Sequence, residues 1–226
     1  MTVARAAHPR RAVPGPIALL GVAAAAAVLA AATLLRADSA PAPHAPGVVP
    51  LRVSSGHGIA TGFAVPGARV VTVAHVLDGP VTVAGRPVRV IRVDRRSDLA
   101  LLAAPGGGLT RPESAATAPD IASAVNGEHV RVVRLRAGGP ASLSVHVRRS
   151  IVAHVRTAGT GRARVRPALE LAGPVRDGPV APGDSGAPVV TDDGGLAGVV
   201  FAASRNHPDT AYAVDASAIA QLLRHP

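Results

Sequence analysis

The chain has 226 residues, enough for one or two compact units, and no cysteine, which excludes disulfides and thiolate metal sites. All 24 basic residues are arginine and the net charge is +10, yet two Phe, one Tyr and no Trp leave almost no platform on which bases could stack. The arginines are dispersed over strand-like runs, not gathered in one block, so a solvated basic surface is expected and a nucleic-acid partner is not. The nine histidines show no H-E-x-x-H spacing, so no metal and no cofactor are expected.

Residues 1–16 are a basic N-terminus, with Arg5, Arg10 and Arg11 ahead of a Pro14-Gly15-Pro16 break. Ile17 to Leu35 then runs 19 residues without a charge. As a helix it would be about 28 Å long, close to the ~30 Å of a hydrocarbon core. The arginines before it place the N-terminus in the cytoplasm and the remainder outside. An uncleaved single-pass anchor at 17–35 is the favoured reading, and a cleaved signal segment, giving a secreted protein, is the other. Residues 36–46, rich in Pro and Ala, read as a semi-extended tether.

From Gly47 the pattern changes to short β-like runs broken by Gly and Pro. Val48 to Val53, Ile59 to Val65, Arg69 to Ala74, Val81 to Ala84, Val88 to Val93 and Leu99 to Leu102 are expected strands. Val88 to Val93 alternates apolar residues with arginine, as a half-exposed antiparallel strand does. His57, in a glycine-rich turn without a neighbouring acid, reads as a solvated turn residue. Pro105 to Pro119 reads as a crossing between two halves. The second half holds His129 to Arg136, Leu143 to Arg149, Ile151 to Arg156, Arg162 to Arg166 and Ala168 to Ala172. It continues through Val189-Val190, Val199 to Ala203 and Asp209 to Val214. Ala216 to Leu223 has helical spacing. His129, His146 and His154 read as strand-face residues.

Three stretches carry chemistry. Thr72-Val73-Ala74-His75 ends a strand on a histidine. Asp98-Leu99-Ala100-Leu101 opens an apolar run on an aspartate whose carboxylate can be drawn toward the core; Asp94, beside Arg95 and Arg96, competes for the same role from an exposed turn. Gly183-Asp184-Ser185-Gly186-Ala187-Pro188 sets a serine between glycines, in a bend whose N–H groups can converge on an anion. Alone, that bend is equally readable as an ordinary turn. The order His, Asp, Ser is the chymotrypsin order of a triad, not the subtilisin or α/β-hydrolase order.

On these three motifs, with Gly62-Phe63, the sequence resembles the trypsin-like (chymotrypsin-fold) serine proteases over about residues 47–226. Val199 to Ala203 followed by Asp209 to Val214 is similar to the tail of membrane-anchored actinobacterial proteases of the MarP type. The resemblance implies an all-β fold of two antiparallel six-stranded barrels, about 47–110 and about 120–226, with a short C-terminal helix. It implies a serine endopeptidase acting on a peptide or protein substrate through His75, Asp98 and Ser185. The oxyanion donors would be the N–H groups of Gly183 and Ser185. The strand holding Val200, Phe201, Ala202 and Ala203 would bind substrate, with Pro179 to Pro182 and Phe201 to Ser204 lining a small, neutral pocket; Asp177 is kept as a possible acid there. Ala187 stands where the family has a second glycine, and its methyl is a potential source of crowding. Asp184 needs a partner, either an arginine or an amine released by cleavage near Val48. A catalytically inactive protease-fold module at the envelope, or an esterase on the same fold, are the rival readings.

Overall fold

The computed structural model describes residues 48–56, 58–104, 120–156, 163–173 and 180–224. The apolar segment 17–35, the tether, His57, the 105–119 crossing and Asp177 lie outside them. Among the described residues no helix is long and apolar enough to cross a membrane.

Among the described residues the elements follow in the order β1 (Pro50–Ser55), β2 (Gly58–Val65), β3 (Arg69–Val73), β4 (Val81–Val83), β5 (Arg86–Val88), β6 (Val90–Asp94) and β7 (Leu99–Ala103), then β8 (His129–Arg136), β9 (Gly139–Arg156), β10 (Ala163–Ala172), β11 (Pro188–Thr191), β12 (Leu196–Ala203), β13 (Thr210–Asp215) and α1 (Ala216–Arg224). The named ladders are antiparallel. The second half is a closed six-stranded barrel, β10-β13-β12-β11-β8-β9, as expected.

The first half departs from the expected six-stranded barrel. It is a seven-stranded sheet in the order β5-β4-β1-β2-β3-β7-β6, and among the described residues no ladder closes it. The expected strand Val88 to Val93 is divided at Arg89, whose carbonyl accepts from Ala103 N–H. Its first piece pairs with β4 and its second with β7. The two edges of the sheet are therefore consecutive in the chain, and the sheet turns back on itself through the covalent backbone.

Two other expectations merged. Leu143 to Arg149 and Ile151 to Arg156 form the single strand β9. Arg162 to Arg166 and Ala168 to Ala172 likewise join as β10, despite Pro167. The proline pairs with Val152 of β9, but the β10–β13 ladder starts only at Ala168, so Pro167 has a partner strand on one side alone, a position that a proline in a strand tolerates.

Alternation decides which side chains pack. Val130, Val132, Leu143, Val145, Val147, Leu169 and Leu171 fill the closed barrel. A second apolar cluster joins the first sheet to the barrel, from Val53, Phe63, Val71 and Leu101 to Val190, Val199, Ile219 and Leu222. The last two come from α1, which starts where the Asp215 carboxylate accepts from Ser217 N–H at 2.8 Å, an N-cap.

Glu170, buried on β10, is paired across the ladder with Arg149. Burial pushes its carboxyl up, but hydrogen bonds from Arg149 (2.9 Å) and Arg148 (3.1 Å) outweigh this and hold it below its ordinary value of 4.5. A carboxylate depressed in the folded state stabilises above its unfolded pKa, and that contribution fades as pH falls through the folded value. Glu170→Gln is expected to cost about 1–2 kcal/mol at neutral pH, since both arginines are solvent-exposed and screened. In thermal melts the advantage of the parent over the variant should shrink as pH falls through the lowered folded-state value of Glu170.

Candidate active site

His75 lies two residues past the end of β3, and Asp98 immediately precedes β7, the neighbour of β3 in the sheet. Register therefore brings the two together: Ala74 N–H donates to the Asp98 carbonyl at 2.8 Å. The Asp98 carboxylate holds the histidine twice. Its Oδ1 accepts from the His75 backbone N–H at 2.9 Å, and its Oδ2 lies 2.8 Å from His75 Nδ1. Asp98 is buried, and its φ of 64° is in the left-handed region that a non-glycine residue rarely enters. Asp94, the competing aspartate, instead accepts from Ser97 Oγ (2.6 Å) and Arg96 N–H (2.9 Å) and serves its own turn.

Ser185 is half buried in the bend between the 181–184 turn and β11. Its carbonyl accepts from Thr61 N–H at 2.8 Å, and the Gly183 carbonyl accepts from Thr61 Oγ1 at 2.8 Å. Thr72 Oγ1, three residues before His75, donates to the Thr61 carbonyl at 2.8 Å. Thr61 thus seats the serine loop of the second half on the strand that ends at the histidine. A side chain at Gly186 would destroy this seat: a Cβ there would meet the Thr61 carbonyl oxygen at 1.9 Å and Thr72 Oγ1 at 2.8 Å. No hydrogen bond joins the imidazole to the Ser185 hydroxyl among the described residues; in ligand-free hydrolases that bond is commonly long and tightens with substrate.

The N–H groups of the bend divide into two sets. Those of Asp184, Gly186 and Ala187 donate to Ala181, Val200 and Asp184 carbonyls. Those of Gly183 and Ser185 donate to no backbone carbonyl among the described residues. Ala187 is fully buried among the barrel residues, and its φ is not positive, so the methyl is accommodated without strain.

Asp184 is completely buried, and its partner is an arginine. Arg136, the last residue of β8, forks onto it, Nη1 to Oδ1 at 2.5 Å and Nη2 to Oδ2 at 2.7 Å. These hydrogen bonds hold the Arg136 guanidinium above its ordinary value. Ala181 N–H adds a bond of 2.9 Å to Oδ2, and Arg134 stands 3.8 Å away. Of the two partners considered for Asp184, the released amine is not needed.

On β12, Val200 is buried, and its N–H and carbonyl are taken by Ala187 and Gly186. The β11 ladder ends at Val199, which leaves Phe201, Ala202 and Ala203 beyond it, progressively more exposed. Two features escaped sequence reasoning. One is a cavity of about 300 Å³ lined by Arg52, Ile59, Ala60, Thr61, Leu135, Pro182 and Gly183. The other is Arg166, on β10, whose Nη1 lies 3.1 Å from Asp98 Oδ2. Among the described residues no cluster of His, Cys, Asp and Glu is arranged to hold a metal.

A sheet-and-barrel pair with a histidine–aspartate couple and a serine bend where the halves meet defines a serine peptidase of the chymotrypsin-like class. The chain belongs to the trypsin-like peptidase domain family, whose model matches residues 60–199. Among solved structures it is similar to the active form of the Rv3671c protease from M. tuberculosis, at 26% identity and a TM-score of 0.64, over 82% of this chain and 87% of that one. That protease is of the MarP type. The MamO protease domain from Magnetospirillum magneticum shares the fold at 21% identity and a TM-score of 0.61, over 79% of this chain and 97% of that one. A serine endoprotease from Yersinia pestis shares it at 16% identity and a TM-score of 0.55, over 80% of this chain and 62% of that one. No curated protein matches the chain by sequence.

Proposed function

We propose that the protein is a membrane-anchored, extracytoplasmic endopeptidase that cleaves peptide bonds through an acyl-enzyme, with His75, Asp98 and Ser185 as its triad. The observation that carries this reading is the Asp98–His75 couple beneath a serine loop seated on Thr61. Asp98 occupies Nδ1, so Nε2 is the nitrogen left to take a proton. Ser185 Oγ attacks the carbonyl carbon as Nε2 accepts its proton. The resulting imidazolium then protonates the leaving amine, and water hydrolyses the ester by the same route. The N–H groups of Gly183 and Ser185, which donate to no backbone carbonyl among the described residues, suit the negative charge that develops on the carbonyl oxygen. Phe201 to Ala203, clear of the β11 ladder, suit the acyl-side backbone as an added strand. The anchoring rests on the charge-free run Ile17 to Leu35 with arginines before it.

A fluorophosphonate probe applied to membrane and soluble fractions, followed by mass spectrometry, tests nucleophile and location together. Label on Ser185 in the membrane fraction is expected. A folded protein that takes no label fits the inactive-module reading instead.

The cavity beside Gly183 shares no lining residue with β12, which suits it to the leaving-group portion of the substrate. Its exposed Arg52 favours a carboxylate there. Peptides with an acidic residue just after the scissile bond should be cleaved up to about fivefold faster in kcat/KM than their amide counterparts, as a solvent-screened pair of up to about 1 kcal/mol allows. Arg52→Gln should remove the preference, read from paired acid and amide substrates.

A further inference from the structure

We propose that Arg166 is a positioning residue for the catalytic couple: a cation supplied by the barrel that holds Asp98, a residue of the other β unit, aimed at His75. The inference rests on the triad reading above.

Four observations converge on this guanidinium. Its Nη1 lies 3.1 Å from Asp98 Oδ2, the same oxygen that faces His75 Nδ1. The same nitrogen donates to the Ser97 carbonyl at 3.0 Å, so it grips both the carboxylate and the backbone just before it. Its Cζ stands 5.1 Å from the centre of the Phe201 ring, a cation–π contact that fixes its other face. The side chain is 3% exposed, and its Nε is buried without a hydrogen-bond partner among the described residues. A buried arginine with an unsatisfied Nε is a cost that the remaining contacts must offset.

The chemistry at Asp98 explains the need. While the imidazole is neutral, the buried Asp98 carboxylate has, among the described residues, no ion pair with a cation of the first sheet. Arg166 provides one from across the seam, and an uncompensated buried carboxylate is expensive. Asp98 also sits at a φ of 64°, a conformation that persists only when its surroundings hold it. Two residues of β10 supply that hold. Arg164, on the same strand face by the two-residue period, donates to the Arg95 carbonyl at 2.6 Å, while Arg166 takes Ser97 and Asp98. The turn that delivers the aspartate is thereby clamped from the barrel, so the geometry of the couple depends on how the two halves dock. Phe201 stands at the start of the exposed end of β12, which links that clamp to the strand proposed to bind substrate.

The test uses the full chain, with Arg166→Met and Arg166→Lys compared with the parent. In the parent, proton NMR is expected to show a far-downfield resonance for His75 Nδ1–H, absent in a His75→Ala control. In Arg166→Met that resonance should broaden or vanish. The kcat on a chromogenic peptide should fall roughly 10- to 100-fold with KM changed less than about threefold, the scale of a misoriented catalytic group. Arg166→Lys should restore most of both. Should Arg166→Met fail to fold, Arg166→Gln decides, because it keeps a donor for the Ser97 carbonyl without the charge; the same losses are expected. A folded neutral variant with parental kcat and an unchanged resonance overturns the proposal. The resonance does not depend on turnover. A chain that never reacts at Ser185 yet loses the signal in the neutral variant removes the proteolytic reading and leaves the positioning role standing.

Discussion

Replacing Ser185 by alanine is expected to lower kcat on a peptide substrate by a factor on the order of 10⁶, with KM nearly unchanged. In the proposed mechanism the hydroxyl is the group that bonds to the substrate, and the loss of its attack leaves the imidazole with no proton to remove. Binding should survive, because the strand Phe201 to Ala203 and the N–H groups of Gly183 and the substituted residue, proposed to hold the substrate, are backbone features. A small residual rate, on the order of 10³ to 10⁴ over water, should remain from those donors. Asp98→Asn gives a smaller loss, on the order of 10⁴, through the wrong imidazole tautomer. Single-turnover kinetics on a chromogenic ester separates the steps: the parent shows a burst of product, and Ser185→Ala shows none. An alanine variant that still hydrolyses peptide at the parental rate would remove Ser185 from the mechanism.

The residues that form the couple were legible because each stands at the end of a short apolar run. Register does the rest: β3 and β7 are neighbours, so a histidine after one and an aspartate before the other meet. The choice of Asp98 over Asp94 followed from position against the core, and the structure turns Asp94 to Ser97. The strand inventory was legible only where polar punctuation is real. Arg148-Arg149-Ser150 reads as a break in β9. The strand runs through it because both arginines pair with Glu170 of the neighbouring strand and Arg148 also reaches Asp209. Conversely Arg89 reads as one more alternating residue and is where the strand divides. Long-range partners were not legible at all. Arg136 lies 48 positions before Asp184 and Arg166 lies 68 after Asp98, each within an alternating strand whose other arginines look the same in sequence. Which arginine turns inward is decided by the closure of the barrel and the docking of the halves, and neither leaves a local mark on the chain.

Arg136→Met is expected to destabilise the fold by about 3–5 kcal/mol and to depress turnover in the protein that remains folded. The stability loss follows from Asp184, which is fully buried and, among the described residues, would keep Arg134, 3.8 Å away, and the Ala181 N–H. The loss of turnover follows from position. Asp184 lies between Gly183 and Ser185, so the fork from Arg136 fixes the peptide units whose N–H groups are proposed to meet the oxyanion. Misplacing one such donor costs about 10²- to 10³-fold in kcat. Asp184→Asn removes the charge and leaves two arginines facing an amide. The double variant Arg136→Met/Asp184→Asn should be less destabilised than the sum of the singles, because the first change no longer strands a carboxylate. Urea denaturation of the four proteins gives the coupling energy, and probe labelling of each reports the serine loop. If an amine released by cleavage near Val48 supported Asp184 instead, Arg136→Met would melt with the parent. Activity would then appear only after the N-terminus had been trimmed, which terminal sequencing of the labelled form would reveal. The bidentate geometry at 2.5 and 2.7 Å argues for the arginine: both carboxylate oxygens are already taken, and the loop is held in place without any processing of the chain.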